Sequence, residues 1–215
     1  MTIKKFIFNS FQLNTYVVYD SSGECVIIDA GNSNKSEDQE LFDFIAQEKL
    51  VVKALCYTHA HVDHIVGNNS IINKYKIQSI AHQDSLLFFK QASNYGTSLG
   101  FDITSPILPA IFINEGDDVS FGHSKLKVIH TPGHANGSVC YYSENDQFVV
   151  VGDVLFKGSI GRTDLPTGDF DLLSRNIIKK LYILPNGVKV YSGHGPSTTI
   201  GYEKIHNPFV NLLEN

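Results

Sequence analysis

The chain has 215 residues, 42% hydrophobic and 18% charged, the balance of a globular protein with room for one sizeable core. With 17 basic and 22 acidic side chains, its formal net charge is −5 and no basic run occurs, so bulk-charge binding to nucleic acid or an anionic membrane is not expected. The amino terminus lacks a signal-peptide pattern, no apolar stretch is long enough to span a bilayer, and Cys25, Cys56 and Cys140 stand apart in apolar runs, so buried free thiols in a cytoplasmic, reducing setting are expected.

Lys4–Asn9, Thr15–Asp20 and Cys25–Ala30 read as short strands separated by turn residues such as Ser21-Ser22-Gly23. Glu37–Gln47 has helical spacing, with Leu41, Phe42, Ile45 and Ala46 on one face and cap residues Asn32, Ser33, Asn34 and Ser36 before it. Val51–Tyr57 reads as a buried strand, His64–Lys76 as a helix and Ile77–Ala81 as a further strand. Ser93–Pro109, with two glycines and two prolines, reads as a long irregular segment, either a functional lid or a disordered surface insertion. In the second half Lys125–His130, Val139–Tyr142, Phe148–Val151 and Val188–Ser192 read as strands and Phe170–Ile183 as a helix. Strands feeding helices in both halves predict two similar βαβ-rich units, and the absence of linker-like composition predicts a single domain over residues 1–215.

The densest chemistry lies at Thr58-His-Ala-His-Val-Asp-His64, directly after the Val51–Tyr57 strand. Four metal-ligand side chains, His59, His61, Asp63 and His64, crowd into this run, and adjacent imidazoles make poor core filler because burial leaves their polar atoms unpaired. His59 and His61 flank Ala60 and can point the same way, whereas Asp63 and His64 follow a turn, which suggests two ions rather than one. His134, Asp153 and His194 each follow a predicted strand and each has a glycine neighbour that lets backbone approach a crowded centre. Three protein ligands per ion give one set of His59, His61 and His134 and another of Asp63, His64 and His194, with Asp153 as a bridge. Asp63 and Asp153 would also orient the ions and share their charge. Of the other histidines, His82 and His206 read as surface or supporting groups, His123 as a turn residue, and His130 has no clear orientation.

These residues resemble the metallo-β-lactamase superfamily from about Phe6 to Pro208, which implies an α/β fold, a four-layered αββα sandwich of two mixed sheets flanked by helices. Gly152-Asp-Val-Leu-Phe, Gly158-Ser-Ile-Gly-Arg-Thr-Asp-Leu-Pro and Gly193-His-Gly-Pro-Ser-Thr-Thr-Ile-Gly-Tyr-Glu are similar to the short glyoxalase II-like (hydroxyacylglutathione hydrolase-like) hydrolases. That resemblance implies two divalent ions, most often zinc with iron or manganese as alternatives, and hydrolysis of a small-molecule thioester such as S-lactoylglutathione. It also places Arg162 where a basic residue helps to bind glutathione. Two departures reduce the expected glutathione grip: the carboxy-terminal helical region of the long enzymes is not expected within 215 residues, and Pro196 stands where they carry a tyrosine.

The sequence leaves two other readings open. Persulfide dioxygenases look similar, carry a stretch like Gly161–Asp164, and use one iron, here on His59, His134 and Asp153. A non-catalytic metal-binding protein is the reading of a different class, and the complete ligand set argues against it. Arg162 itself reads either as a substrate-carboxylate anchor or as the partner of Asp164 or Asp169.

Overall fold

The computed structural model describes residues 1–210. The first sheet runs in chain order, β1 (Thr2–Phe8), β2 (Leu13–Tyr19), β3 (Glu24–Ile28), β4 (Val51–Cys56), β5 (Gln78–Ala81) and β6 (Ile111–Phe112). Its first three strands are antiparallel neighbours and its last four are parallel. The second sheet begins with β7 (Asp118–Phe121), β8 (Ser124–His130), β9 (Val139–Ser143) and β10 (Phe148–Gly152) as an antiparallel meander. A hairpin of β11 (Leu155–Phe156) and β12 (Ser159–Ile160) follows. The sheet is then completed by β13 (Lys189–Ser192), parallel to β10, and β14 (Thr198–Thr199). Among the described residues no helix is long and apolar enough to cross a membrane.

Side-chain alternation makes four layers out of these two sheets. On β2, β3 and β4, Val17, Cys25, Ile27 and Leu55 face outward onto α1 (Lys35–Gln47), α3 (Asn68–Tyr75) and α4 (Leu86–Ser98), which contribute Leu41, Ile45, Ile71 and Phe89. Their neighbours Tyr16, Val18, Val26, Ile28 and Cys56 face inward onto Leu126, Val128, Tyr141 and Val150 of the second sheet. The far side of that sheet, with Cys140, Val149 and Val151, packs on Leu173, Ile177 and Ile200 of the helical segments that start at α5 (Phe170–Asn176) and α6 (Ile200–His206). Both faces of each sheet are covered, which is why the strands read as near-continuous apolar runs. The three cysteines are buried and free, as the sequence led us to expect.

Several expectations need correction. The helix predicted over His64–Lys76 is two pieces, α2 (Val62–Ile65) and α3. The break comes where Gly67 turns its N–H to Ala30 O, 2.8 Å away in the loop after β3, instead of to a helical carbonyl. Ser93–Ser98, read as irregular, is the last part of α4; Gly96 sits inside that helix because a Cβ there would lie 2.3 Å from Ile103 Cγ2. The remainder up to Pro109 is irregular but anchored: Asn69 Nδ2 donates to Ser105 O at 3.1 Å, and Asn69 Oδ1 accepts from Ile107 N at 2.8 Å. The helix predicted over Phe170–Ile183 leaves α-geometry after Asn176 and closes with a wider turn over Ile177–Leu181. The halves are not alike: only the first is βαβ-rich, and the second is a meander with one parallel crossover. Asn34 proves to be the cap of α1, its side chain accepting from the backbone N–H groups of Ser36 and Glu37.

Candidate metal centre

The site lies where the carboxyl ends of β4, β8, β10 and β13 meet. All seven side chains singled out in the sequence arrive there: His59 and His61 on the loop after β4, Asp63 and His64 on the single turn of α2, His134 after β8, Asp153 after β10 and His194 after β13. They fall into overlapping groups, His59/His61/His134, Asp63/His64/His194 and His59/His64/Asp153. Asp153 joins them, with Oδ1 3.5 Å from His64 Nε2 and Oδ2 3.6 Å from His194 Nε2 and 3.8 Å from His134 Nε2.

Four of the five imidazoles, all but His61, are fixed from behind, and that fixes which nitrogen faces the centre. The Thr58 hydroxyl donates to Asp29 Oδ2 at 2.7 Å, so its oxygen accepts from His59 Nδ1–H at 3.2 Å and leaves Nε2 bare. His134 Nδ1–H donates to Arg162 O at 2.8 Å, His194 Nδ1–H to Phe11 O at 3.0 Å, and His64 Nδ1–H to Asp29 Oδ2 at 3.0 Å. Two bare nitrogens, His59 Nε2 and His134 Nε2, then face His61 Nδ1 at 3.0 and 2.9 Å. One proton on His61 can satisfy only one of them; a cation satisfies all three. His64 Nε2 and Asp153 Oδ1 are likewise buried with no hydrogen-bond partner. The donor set therefore fits divalent metal.

The electrostatics agree. Burial, reinforced by His64 and His61, holds His59 well below the usual histidine range. Burial, then His134 and His64, takes His61 down to about 3, and burial also lowers His134. Burial opposes charge on His64 too, but Asp29, Asp63 and Asp153 outweigh it and hold that ring protonated well above the ordinary range. The Asp63 contact raises His194 despite the opposing effect of burial. Burial would raise Asp63 and Asp153, yet His64 and the neighbouring histidines pull both below the carboxylate range. In the absence of metal, protons on His64 and His194 are thus the countercharge to a nest of buried carboxylates.

Asp29 was not singled out in the sequence, where it reads as part of the Cys25–Ala30 strand. It is fully buried, adopts φ 60°, and also accepts from Thr58 N at 2.8 Å, so it ties the first ligand loop to His64. A carboxylate ending an otherwise apolar run was the signal available for it. The His194 loop is tied across the two sheets: Asn14 Nδ2 donates to Ser192 O and Gly195 O at 2.9 Å, and Tyr16 OH donates to Ser192 O at 2.6 Å. Gly193 permits that approach, since a Cβ there would meet Asp153 Oδ1 at 2.2 Å. His82, expected at the surface or as a supporting group, is buried and stacks on His130 with ring centroids 4.1 Å apart and planes 9° from parallel. With Asp84, whose Oδ2 lies 3.7 Å from His82 Nδ1, they form a further group of metal-ligand side chains that shares no residue with the centre.

The centre floors a cleft of about 530 Å³ whose upper walls include Phe11, Tyr95, Leu99, Phe156, Ile160 and Leu165. Arg162 also lines it, but its guanidinium grips Asp164 through two hydrogen bonds of 2.7 and 2.8 Å.

The metallo-beta-lactamase superfamily model matches residues 9–194. A probable metallo-hydrolase of Bacillus subtilis, YqgX, is 37% identical over 93% of this chain and 93% of its own length. The hydroxyacylglutathione hydrolase GloC of Haemophilus influenzae is 31% identical over 98% of this chain and 99% of its own. Among solved structures, the B3 metallo-beta-lactamase BLEG-1 superposes with TM-score 0.89 at 36% identity, covering 97% of this chain and 99% of that one. TTHA1623 in a di-iron-bound form gives TM-score 0.86 at 33% identity, covering 96% and 99%. ETHE1 from Myxococcus xanthus gives 0.79 at 25% identity, covering 98% and 84%. With a family model spanning most of its length, these relatives and the paired histidine–aspartate clusters, the chain belongs to the metallo-beta-lactamase superfamily.

Proposed function

We propose that the protein is a dinuclear metal-dependent hydrolase that cleaves a thioester, with zinc as the favoured metal. The observation that carries this reading is Asp153, whose two oxygens lie between the His59/His61/His134 set and the Asp63/His64/His194 set. Divalent ions in such sets supply an ionised water near neutral pH and polarise a carbonyl. The chain's own contribution is positional. Asp29, Thr58, Phe11 O and Arg162 O hold the imidazole tautomers, and Asp63 and Asp153 balance charge and keep the two sets in register. Water adds its oxygen to the thioester carbon, the C–S bond breaks, and the proton ends on the departing sulfur. A thiolate has a pKa of roughly 8.5, so it leaves without a strong general acid from the protein.

The likeness to the H. influenzae hydroxyacylglutathione hydrolase supports a thioester of the S-lactoylglutathione kind. With Arg162 engaged by Asp164 and Pro196 beyond His194, that substrate is expected to bind weakly, with a high KM and an undiminished kcat. The di-iron form of TTHA1623 keeps iron in view as the native metal, and the ETHE1 likeness supports the mononuclear dioxygenase as a second reading. The test is a panel of thioesters, a persulfide with an oxygen electrode, and a β-lactam, run on metal-loaded protein. Thioester cleavage without oxygen uptake is expected; oxygen uptake on the persulfide, with all thioesters intact, would replace this reading with the dioxygenase.

A further inference from the structure

Arg162 is the one lysine or arginine lining the cleft among the described residues. Its Nε and Nη2 donate to Asp164 Oδ1 and Oδ2 at 2.7 and 2.8 Å, the planar two-point match that a substrate carboxylate would otherwise make. The arginine's own backbone is pinned, because Arg162 O accepts from His134 Nδ1 at 2.8 Å, so the guanidinium swings from a fixed base at the mouth of the cleft. Around it the upper wall is apolar. Phe11, Tyr95 and Leu99 remain 43%, 45% and 38% exposed, a group of large apolar side chains facing the space above the ligand set.

We propose that Asp164 is a specificity-determining residue: it occupies Arg162 as an internal carboxylate and tilts the cleft toward uncharged, apolar thioesters over carboxylate-bearing ones. This rests on the hydrolase reading above and names the substrate class for that same site. The apolar wall rewards acyl length, by about threefold in KM for each methylene it covers. The ion pair is exposed and therefore weak, so the penalty it places on a substrate carboxylate is modest, about threefold.

The experiment is steady-state kinetics of the metal-loaded enzyme on acetyl, butyryl and hexanoyl thioesters of N-acetylcysteamine and on S-lactoylglutathione, comparing wild type with Asp164→Asn and Asp164→Ser. KM is expected to fall from acetyl to hexanoyl with kcat nearly constant. The ratio of KM for S-lactoylglutathione to KM for the hexanoyl ester is expected to drop about threefold in both variants. A merely structural Asp164 would move all substrates together and leave that ratio alone. A KM that ignores acyl length, or an unchanged ratio in the variants, overturns the inference. Turnover of S-lactoylglutathione with none of the neutral esters overturns it and leaves the hydrolase reading standing; no turnover of any thioester removes both.

Discussion

On the floor of the cleft, His59, His64, His134 and His194 are each held from behind by a hydroxyl, a carboxylate or a backbone carbonyl; the first three are buried and His194 is partly exposed. At the rim, Tyr95 and Leu99 stand on the end of α4 and just beyond it, half in solvent, and Arg162 and Asp164 touch only through exposed atoms. A buried constellation tied to two sheets tolerates little change, whereas a rim built from a helix end and a loop can be altered without disturbing the centre. Chemistry and selectivity are therefore separable here, and substitutions in the two regions should differ in kind as well as size.

The largest effect is expected from Asp153→Ala. It should lower kcat/KM by roughly 10³-fold or more and reduce the bound metal below two per chain, with the circular dichroism spectrum intact. Loss of one layer of support should cost less. Asp29→Ala removes the acceptor of His64 Nδ1–H and of the Thr58 hydroxyl and amide, so metal affinity should fall by about 10- to 100-fold in a chelator competition.

Titration of the metal-free protein sharpens the contrast further. His59, His61 and His134 have folded pKa values below the unfolded one, so the unfolded chain takes up protons first. Stability is then lost as pH falls from about 6.5 toward the folded values, near 3 for His61. His64 and His194 are shifted up, so the stability they contribute is complete below about 6.5 and is lost as pH rises through their folded values. The metal-free protein should show a Tm maximum near neutral pH, and its alkaline decline should vanish once metal replaces the protons. A flat profile through pH 5 to 9 would contradict this charge account.

The smallest effect belongs to the rim. Leu99→Ala should raise KM for a hexanoyl thioester by about threefold, leave kcat nearly unchanged and spare the acetyl ester. A comparable loss in kcat would mean that the rim and floor are coupled after all.

Much of this was legible in the sequence because ligands leave a chemical trace that packing does not explain. Thr58–His64, His134, Asp153 and His194 stood out by residue type and by their position after apolar strands, and the layered fold followed from the family resemblance. Asp29 was hidden because it falls inside a run read as a strand, and only the distances to Thr58 and His64 reveal its task. Gly96 misled in the opposite way: a glycine needed for the close approach of Ile103 looked like a helix breaker. In the stacked pair, His82 follows β5 of the first sheet and His130 ends β8 of the second, so no local pattern joins them. For Arg162 the sequence posed the right alternatives, and the two hydrogen bonds to Asp164 now weigh against a free anchor.

The central claim, two ions working together across Asp153, is tested most directly by titrating metal-free protein with zinc while following both bound metal and initial thioesterase rate. The account predicts that the rate climbs to a plateau at two equivalents per chain and that Asp153→Ala never reaches it. Full activity at one equivalent, with the second ion binding weakly and without effect on the rate, would contradict it.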